Sequence, residues 1–170
     1  MRISARFASL AAVAAVGLGT IATGTAQAAP TTTDQAAPAG AQAALSAARS
    51  TTIRLHNGTG CTLYRTDYSL SHGIWTQGQE PPQWLGNTGE AVFQSESNGF
   101  MTGTEGTVTF TAQGCEDGWR NNATVRLHWN NPYAGSNSYD DDGTTRNIFR
   151  TTREGGGGDN AYVLWGAWKA

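Results

Sequence analysis

Lysine and positive charge are what this sequence has least of. Its 170 residues contain eleven Lys and Arg against thirteen Asp and Glu, and the single lysine is Lys169. From residue 51 onward the balance is eight basic against twelve acidic residues, a formal charge of −4. Such a chain offers no basic face to a phosphate backbone, so we expect no nucleic-acid partner.

Charged residues of either sign are also scarce, at 14% of the chain. This scarcity excludes coiled coils and long amphipathic helices, which are rich in Glu, Lys and Arg. What replaces them is 22 glycines, six tryptophans and many threonines, a composition typical of short strands joined by tight turns. The length allows one domain with a tail, and we expect that domain to be all-β.

A long hydrophobic run is missing as well. The apolar stretch 7–21 is too short for a membrane span and is interrupted by Gly17 and Gly19. Two arginines precede it, and Ala26-Gln27-Ala28 fits the small-x-small rule of signal peptidase. Residues 1–29 are therefore predicted to be a secretory signal peptide, and the mature protein is expected to be secreted.

The segment after the leader differs in composition from the rest of the chain. Residues 30–50 are mainly Ala, Thr, Gln and Pro, with too few large apolar side chains to offset the entropy of ordering them. We predict a disordered arm over 30–50 and a folded domain over 51–170.

Cysteine occurs only twice, at Cys61 and Cys115. A lone pair in an exported domain favours a disulfide over a nucleophile or a metal site. The chain-entropy model gives such a link a stabilisation of about 4 kcal/mol.

Short alternating apolar and polar runs, separated by Gly, Asn and Pro, recur along the domain. Val125, Leu127 and Trp129, for example, alternate with polar residues. About seven or eight such runs predict an antiparallel β-sandwich. The Asn57-Gly58 turn signal further predicts a first hairpin between 53–56 and 62–68.

Catalytic and metal-binding patterns are weak. Ser97, His128 and an acidic residue could be drawn as a triad, but no G-x-S-x-G elbow is present. Asp140 to Gly143 lacks the D-x-D-x-D-G spacing of a calcium loop, and the three histidines lack the spacing of zinc ligands. We expect a non-enzymatic protein with no cofactor and no metal.

Aromatic residues on or beside predicted loops are the better candidates for binding. Tyr and Trp suit a membrane–water boundary, and they equally suit a platform for stacking sugars. The side chains predicted to contact lipid are Tyr133, Tyr139, Trp75, Trp84 and Trp129. A glycan-binding lectin remains the alternative.

Two motifs carry further information. Residues 96–107 read ESNGFMTGTEGT, where three glycines allow a sharp turn or a close backbone approach. Residues 129–137 read WNNPYAGSN, where Asn131-Pro132 ends strand pairing and places Tyr133 on a loop.

Both motifs, in this order, resemble those of the aegerolysin family, most closely the small component of two-component bacterial insecticidal crystal proteins. The fungal members differ by an acidic residue at the position of Thr102 and a Trp at that of Tyr133. The matching motif residues are Gly99, Gly103, Thr104, Gly106, Asn131, Pro132 and Gly135.

The resemblance implies a β-sandwich that recognises a membrane lipid head group and often recruits a second, pore-forming protein. We therefore expect an exported, lipid-binding cytolysin or toxin component. Tyr133, which follows the strand break, is its foremost predicted lipid contact.

Overall fold

A computed structural model describes residues 48–170 of the chain. The predicted signal peptide and residues 30–47 of the predicted arm lie outside the described residues. The first strand begins at Ser50, one residue before the predicted start of the domain. Across 48–170, no helix has the length and apolar character needed to cross a bilayer.

Ten strands and one short 3₁₀ turn, Gly118–Arg120, make up the regular structure of residues 48–170. The strands are β1 Ser50–Gly58, β2 Thr62–His72, β3 Ile74–Trp75, β4 Trp84–Leu85, β5 Glu90–Glu96, β6 Thr104–Gln113, β7 Thr124–Asn131, β8 Ser138–Asp140, β9 Phe149–Gly155 and β10 Asn160–Lys169. Eight of them are at least three residues long, in agreement with the predicted number.

The strands form two five-stranded sheets, which confirms the predicted β-sandwich. The first sheet has the order β3-β5-β1-β10-β9 and the second β4-β2-β6-β7-β8. All pairings are antiparallel except that between β1 and β10, which is parallel. The parallel pair is the one departure from the expected antiparallel architecture.

The predicted first hairpin is wrong, because β1 and β2 lie in opposite sheets. The buried Asn57 side chain accepts a hydrogen bond from Thr59 N–H, and its Nδ2 donates to the carbonyls of Cys61 and Leu85. These bonds hold the chain where it passes from the first sheet to the second after β1. Asn57-Gly58 thus forms an inter-sheet crossing instead of a two-residue hairpin turn.

The core lies between the sheets and follows the period-2 pattern of the strands. β6 and β7 alternate buried and partly exposed residues along their whole length. The largest apolar side chains with no exposed area are Trp129, Phe93, Phe110, Phe149, Ile53, Leu55, Leu63 and Leu127. Their burial is the main source of stability of the sandwich.

The two ends of the sandwich differ in construction. At one end, which we call the motif end, strand register brings together the start of β1, the end of β5, the start of β6 and the end of β7. Three loops cover this end: 97–103, 132–137 and 156–159. The opposite end, which we call the disulfide end, carries the turn 59–61 and the loop 114–123.

The disulfide end contains the expected Cys61–Cys115 bond, which confirms the predicted pairing. Beside it, the fully buried Arg120 donates to the carbonyl of Thr59 and forms an ion pair with Asp117. These contacts fix the loop 114–123 against the turn 59–61.

Candidate functional site

The two sequence motifs meet at the motif end as neighbouring strands. Thr104 lies opposite Asn131, and Gly106 lies opposite Trp129. The buried Thr104 hydroxyl and the Trp129 indole N–H both donate to Ser95 Oγ, at 2.7 and 2.8 Å. One hydroxyl of the first sheet therefore joins both motifs of the second sheet.

Gly103 and Gly106 allow the close packing of these motifs. A Cβ on Gly106 would lie 2.5 Å from both Leu70 and the Trp129 ring. A Cβ on Gly103 would lie 2.7 Å from Pro132 Cα and closer still to the Asn131 carbonyl. Both glycines thus serve a close approach, one of the two roles that sequence predicted for them.

Asn131 ties the end of β7 to the first sheet. Its side chain is buried, and Nδ2 donates to the carbonyls of Ser50 and Asp159, each at 2.9 Å. Pro132, which has no N–H to donate, then ends the strand. Tyr133 follows on the loop with 38% of its area exposed, and the Arg49 guanidinium lies 5.6 Å from its ring centre.

The loop 97–103 presents two further apolar side chains, Phe100 and Met101, which are 90% and 54% exposed. Met101 has a φ of 58°, a left-handed conformation that non-glycine residues seldom adopt. The Thr102 hydroxyl donates to the Gly99 carbonyl at 3.0 Å and closes the turn. Neither residue is among the predicted lipid contacts, which are all Trp or Tyr, although the sequence shows Phe100 and Met101 between glycines.

A shallow groove of about 290 Å³ lies between the loops 97–103 and 132–137. Met101 and Tyr133 both line it, together with His72, Glu105 and Pro132. The motif end therefore combines an apolar tip, formed by Phe100, Met101 and Tyr133, with a groove that has a polar wall.

The structure places the five predicted lipid contacts in different environments. Tyr133 is at the motif end, as the strand break indicated. Tyr139 lies on β8, partly buried against Trp165, and its hydroxyl donates to the Gly156 carbonyl. Trp84 is exposed, but it lies on β4, away from Tyr133.

Of the other two predicted contacts, one lies in the core and one packs against it. Trp129 is fully buried, so its ring has no surface to offer a lipid, and we remove it from the contact set. Trp75 is partly buried and packs edge-on against Trp129 at 5.7 Å. Of the five residues, only Tyr133 is shown to lie on a loop beside the groove.

The family model described as Aegerolysin matches residues 85–153, a segment that contains both motifs. The family resemblance is confirmed. The closer resemblance to the small component of the bacterial crystal proteins stays a prediction. No curated protein matches the sequence.

The solved structures that share the fold of this domain include the following two. One is the lipid binding protein Nakanori, with a TM-score of 0.59, 16% identity and coverage of 76% of this chain and 75% of Nakanori. The other is IP-1A from Alcaligenes faecalis, with a TM-score of 0.53, 16% identity and coverage of 72% of this chain and 91% of IP-1A.

A network of charges runs along the outer face of the second sheet next to the groove. Glu105 contacts His72 and His128, at 3.1 and 3.2 Å, and His128 Nδ1 lies 2.7 Å from Asp140. Partial burial opposes ionisation of Asp140, but hydrogen bonds from His128 and the Asp142 N–H hold its pKa below the ordinary value. Asp140, which is linked to the groove residue Glu105 through His128, is therefore ionised at neutral pH.

A larger, open pocket of about 620 Å³ lies on the other side of the 132–137 loop. Tyr139, Arg153 and the glycines of 155–158 line it, and Asn137 Nδ2 donates to the carbonyls of Gly156 and Gly158. Burial raises the pKa of the Tyr139 phenol, so the hydroxyl stays protonated and donates to the Gly156 carbonyl.

The residues considered for catalysis are engaged elsewhere in the aegerolysin-like domain. Ser97 Oγ accepts a hydrogen bond from the Arg49 N–H, and His128 contacts Glu105 and Asp140. No Ser97–His128 hydrogen bond forms within residues 48–170. The same range contains no group of three or more His, Cys, Asp or Glu side chains arranged to hold a metal.

Proposed function

We propose that this protein is exported and binds membrane lipid, without catalysis, through the motif end. The observation that carries this proposal is the apolar tip, defined as Phe100, Met101 and Tyr133, on two loops fixed by the family motifs. Large apolar side chains exposed together on rigid loops have no role in the core, and they favour an external binding partner.

The magnitudes favour apolar insertion over charge attraction. Full transfer of a large apolar side chain out of water contributes about 1.5–3 kcal/mol. Because Met101 and Tyr133 are only 54% and 38% exposed, the three side chains together contribute roughly 3–5 kcal/mol, which suits weak, reversible membrane binding. The domain from residue 51 onward carries four more acidic than basic residues, so anionic lipids do not attract it. Binding should depend on lipid identity and only weakly on salt.

The comparisons support a lipid as the class of partner and do not name the lipid. Nakanori, which shares the fold, is described as a lipid binding protein. The aegerolysin resemblance adds a second, pore-forming protein, and on that basis we propose that the chain is one component of a cytolysin or toxin. Vesicles filled with dye should then stay intact with this protein alone and leak only when the second component is added.

Vesicle co-sedimentation tests the lipid site directly. Vesicles of phosphatidylcholine, of phosphatidylcholine with phosphatidylserine, and of sphingomyelin with cholesterol separate lipid identity from charge. Phe100→Ala combined with Tyr133→Ala should lower binding to the responsive vesicles at least tenfold and leave the melting temperature nearly unchanged. Trp119→Ala is the matched control, because Trp119 is 65% exposed at the disulfide end. Equal loss in both variants would contradict docking by the motif end.

Export makes a separate prediction. The secreted protein should begin just after Ala28 or Ala29, and mass spectrometry of its N-terminal peptide will show whether it does. Retention of the leader in the mature protein would contradict the proposed route.

A further inference from the structure

A second exposed aromatic cluster lies on the outer face of the second sheet. Trp84 on β4 is directly opposite Tyr64 on β2, and the two side chains are 61% and 46% exposed. Directly opposite residues in an antiparallel pair have Cβ atoms about 5 Å apart, so the two side chains are neighbours. Neither ring is needed to fill the core.

The outward position of Trp84 is fixed by its neighbours. Leu85, the next residue, is buried, so the alternation of the strand turns Trp84 to the outside. Asn57 Nδ2 donates hydrogen bonds to the carbonyls of Leu85 and Gly86, each at 2.9 Å. The Arg65 N–H donates to the Gln83 carbonyl. Because this backbone is held in place, ligand binding would carry little ordering cost.

The polar groups directly across from Tyr64 on β6 are uncharged, and the acidic side chain on this face, Asp67, lies further along β2 opposite Thr109. Thr111 lies opposite Tyr64 on β6, and its hydroxyl is 3.2 Å from that of Thr66. Gln113, two residues further along β6, donates to the Asn122 side chain. Arg65 is directed away from this face, since its guanidinium lies over the Tyr68 ring and donates to the Pro81 carbonyl.

The size of the surface restricts what could cover it. The exposed parts of the two rings amount to roughly 250 Å², from the area that such side chains present. A stable protein–protein interface buries about 800 Å² on each partner around an apolar centre. Two rings surrounded by hydroxyl and amide groups fit a smaller ligand that has both C–H faces and hydroxyl edges.

We propose that Tyr64 and Trp84 form a binding platform for a neutral polysaccharide chain. The C–H faces of its sugar rings stack on the two aromatic rings, and its hydroxyl groups exchange hydrogen bonds with Thr66, Thr111 and Gln113. The platform lies roughly 26 Å along β2 from His72 at the motif end, given the rise per residue of a strand. It is therefore separate from the proposed lipid site and does not depend on it.

Affinity electrophoresis on native gels provides the test. The gels contain hydroxyethylcellulose, laminarin or xyloglucan as neutral probes, and heparin as a charged one. The wild-type protein should be retarded by at least one neutral polysaccharide and not by heparin. Trp84→Ala and Tyr64→Ala should each raise the dissociation constant at least tenfold. Trp84→Phe keeps an aromatic face and should retain most of the affinity.

Controls separate this site from the fold and from the lipid site. Trp119→Ala removes an equally exposed tryptophan elsewhere and should be retarded like wild type. Tyr64→Ala, which leaves every predicted lipid contact in place, should keep its melting temperature and its vesicle binding. The proposal is overturned if no neutral polysaccharide retards the protein, or if both alanine variants are retarded like wild type. Retardation by heparin alone would also overturn it.

Discussion

Replacing Gly103 with alanine should push the two family motifs apart at the motif end. Gly103 is not in the left-handed region, so the substitution adds no backbone strain. Its new Cβ, however, would lie 2.7 Å from Pro132 Cα, where ordinary contacts begin at 3.4 Å. Because the Asn131 carbonyl, which is closer still, and Pro132 Cα are both backbone, the chain at 131–132 must move by more than about 0.7 Å or β6 must shift.

Overpacking of this kind costs about 1–3 kcal/mol. For a domain of this size, that cost lowers the melting temperature by about 4–12 °C. The displacement falls on the residue before Tyr133, so vesicle binding should weaken as well. Thermal unfolding followed by circular dichroism, together with vesicle co-sedimentation, measures both effects.

Gly157→Ala is the matched control, because it lies in a motif-end loop with no atom within 4 Å of its added Cβ. It should unfold and bind like wild type. If Gly103→Ala matched Gly157→Ala in both measurements, the close approach of the motifs would not constrain the domain, and our explanation of the glycine would fail.

Two further predictions concern stability. Converting Cys61 and Cys115 together to alanine should cost about 2–4 kcal/mol in urea unfolding, because the unfolded chain loses a 54-residue loop constraint; an unchanged midpoint would contradict this. The lowered pKa of Asp140 means that its ionised form stabilises the fold above about pH 4 and that this contribution is lost as the pH falls through the folded pKa. Asp140→Asn should therefore flatten the loss of stability between about pH 5 and about pH 2, and a wild-type slope would argue against the His128–Asp140 contact.

Sequence patterns predicted those features that depend on local chemistry. Alternation along the strands predicted the sandwich, and export with cysteine parity predicted the Cys61–Cys115 bond. The Asn131-Pro132 step correctly predicted the strand end and the exposure of Tyr133. In each case the signal lies in a few adjacent residues or in a single pair.

Features that depend on long-range packing were not predictable in this way. The Asn57-Gly58 signal is the same for a hairpin and for an inter-sheet crossing, and the crossing uses bonds from Asn57 to the distant carbonyls of Leu85 and Gly86, which the local sequence does not reveal. Trp129 shares the period of Val125 and Leu127, so alternation already indicated a core position, which its place in a family motif obscured. The glycines around Phe100 predicted a turn but not that its ring faces solvent.

Site-specific fluorescence at the motif end tests the central proposal most directly. An environment-sensitive NBD dye is attached to a cysteine introduced by Met101→Cys, and in a second protein by Trp119→Cys. On responsive vesicles the dye at residue 101 should shift to the blue and gain intensity, because that loop enters the apolar layer, while the dye at residue 119 should stay unchanged. A shift at residue 119 alone, or none at residue 101 while the protein is bound, would contradict docking through the apolar tip.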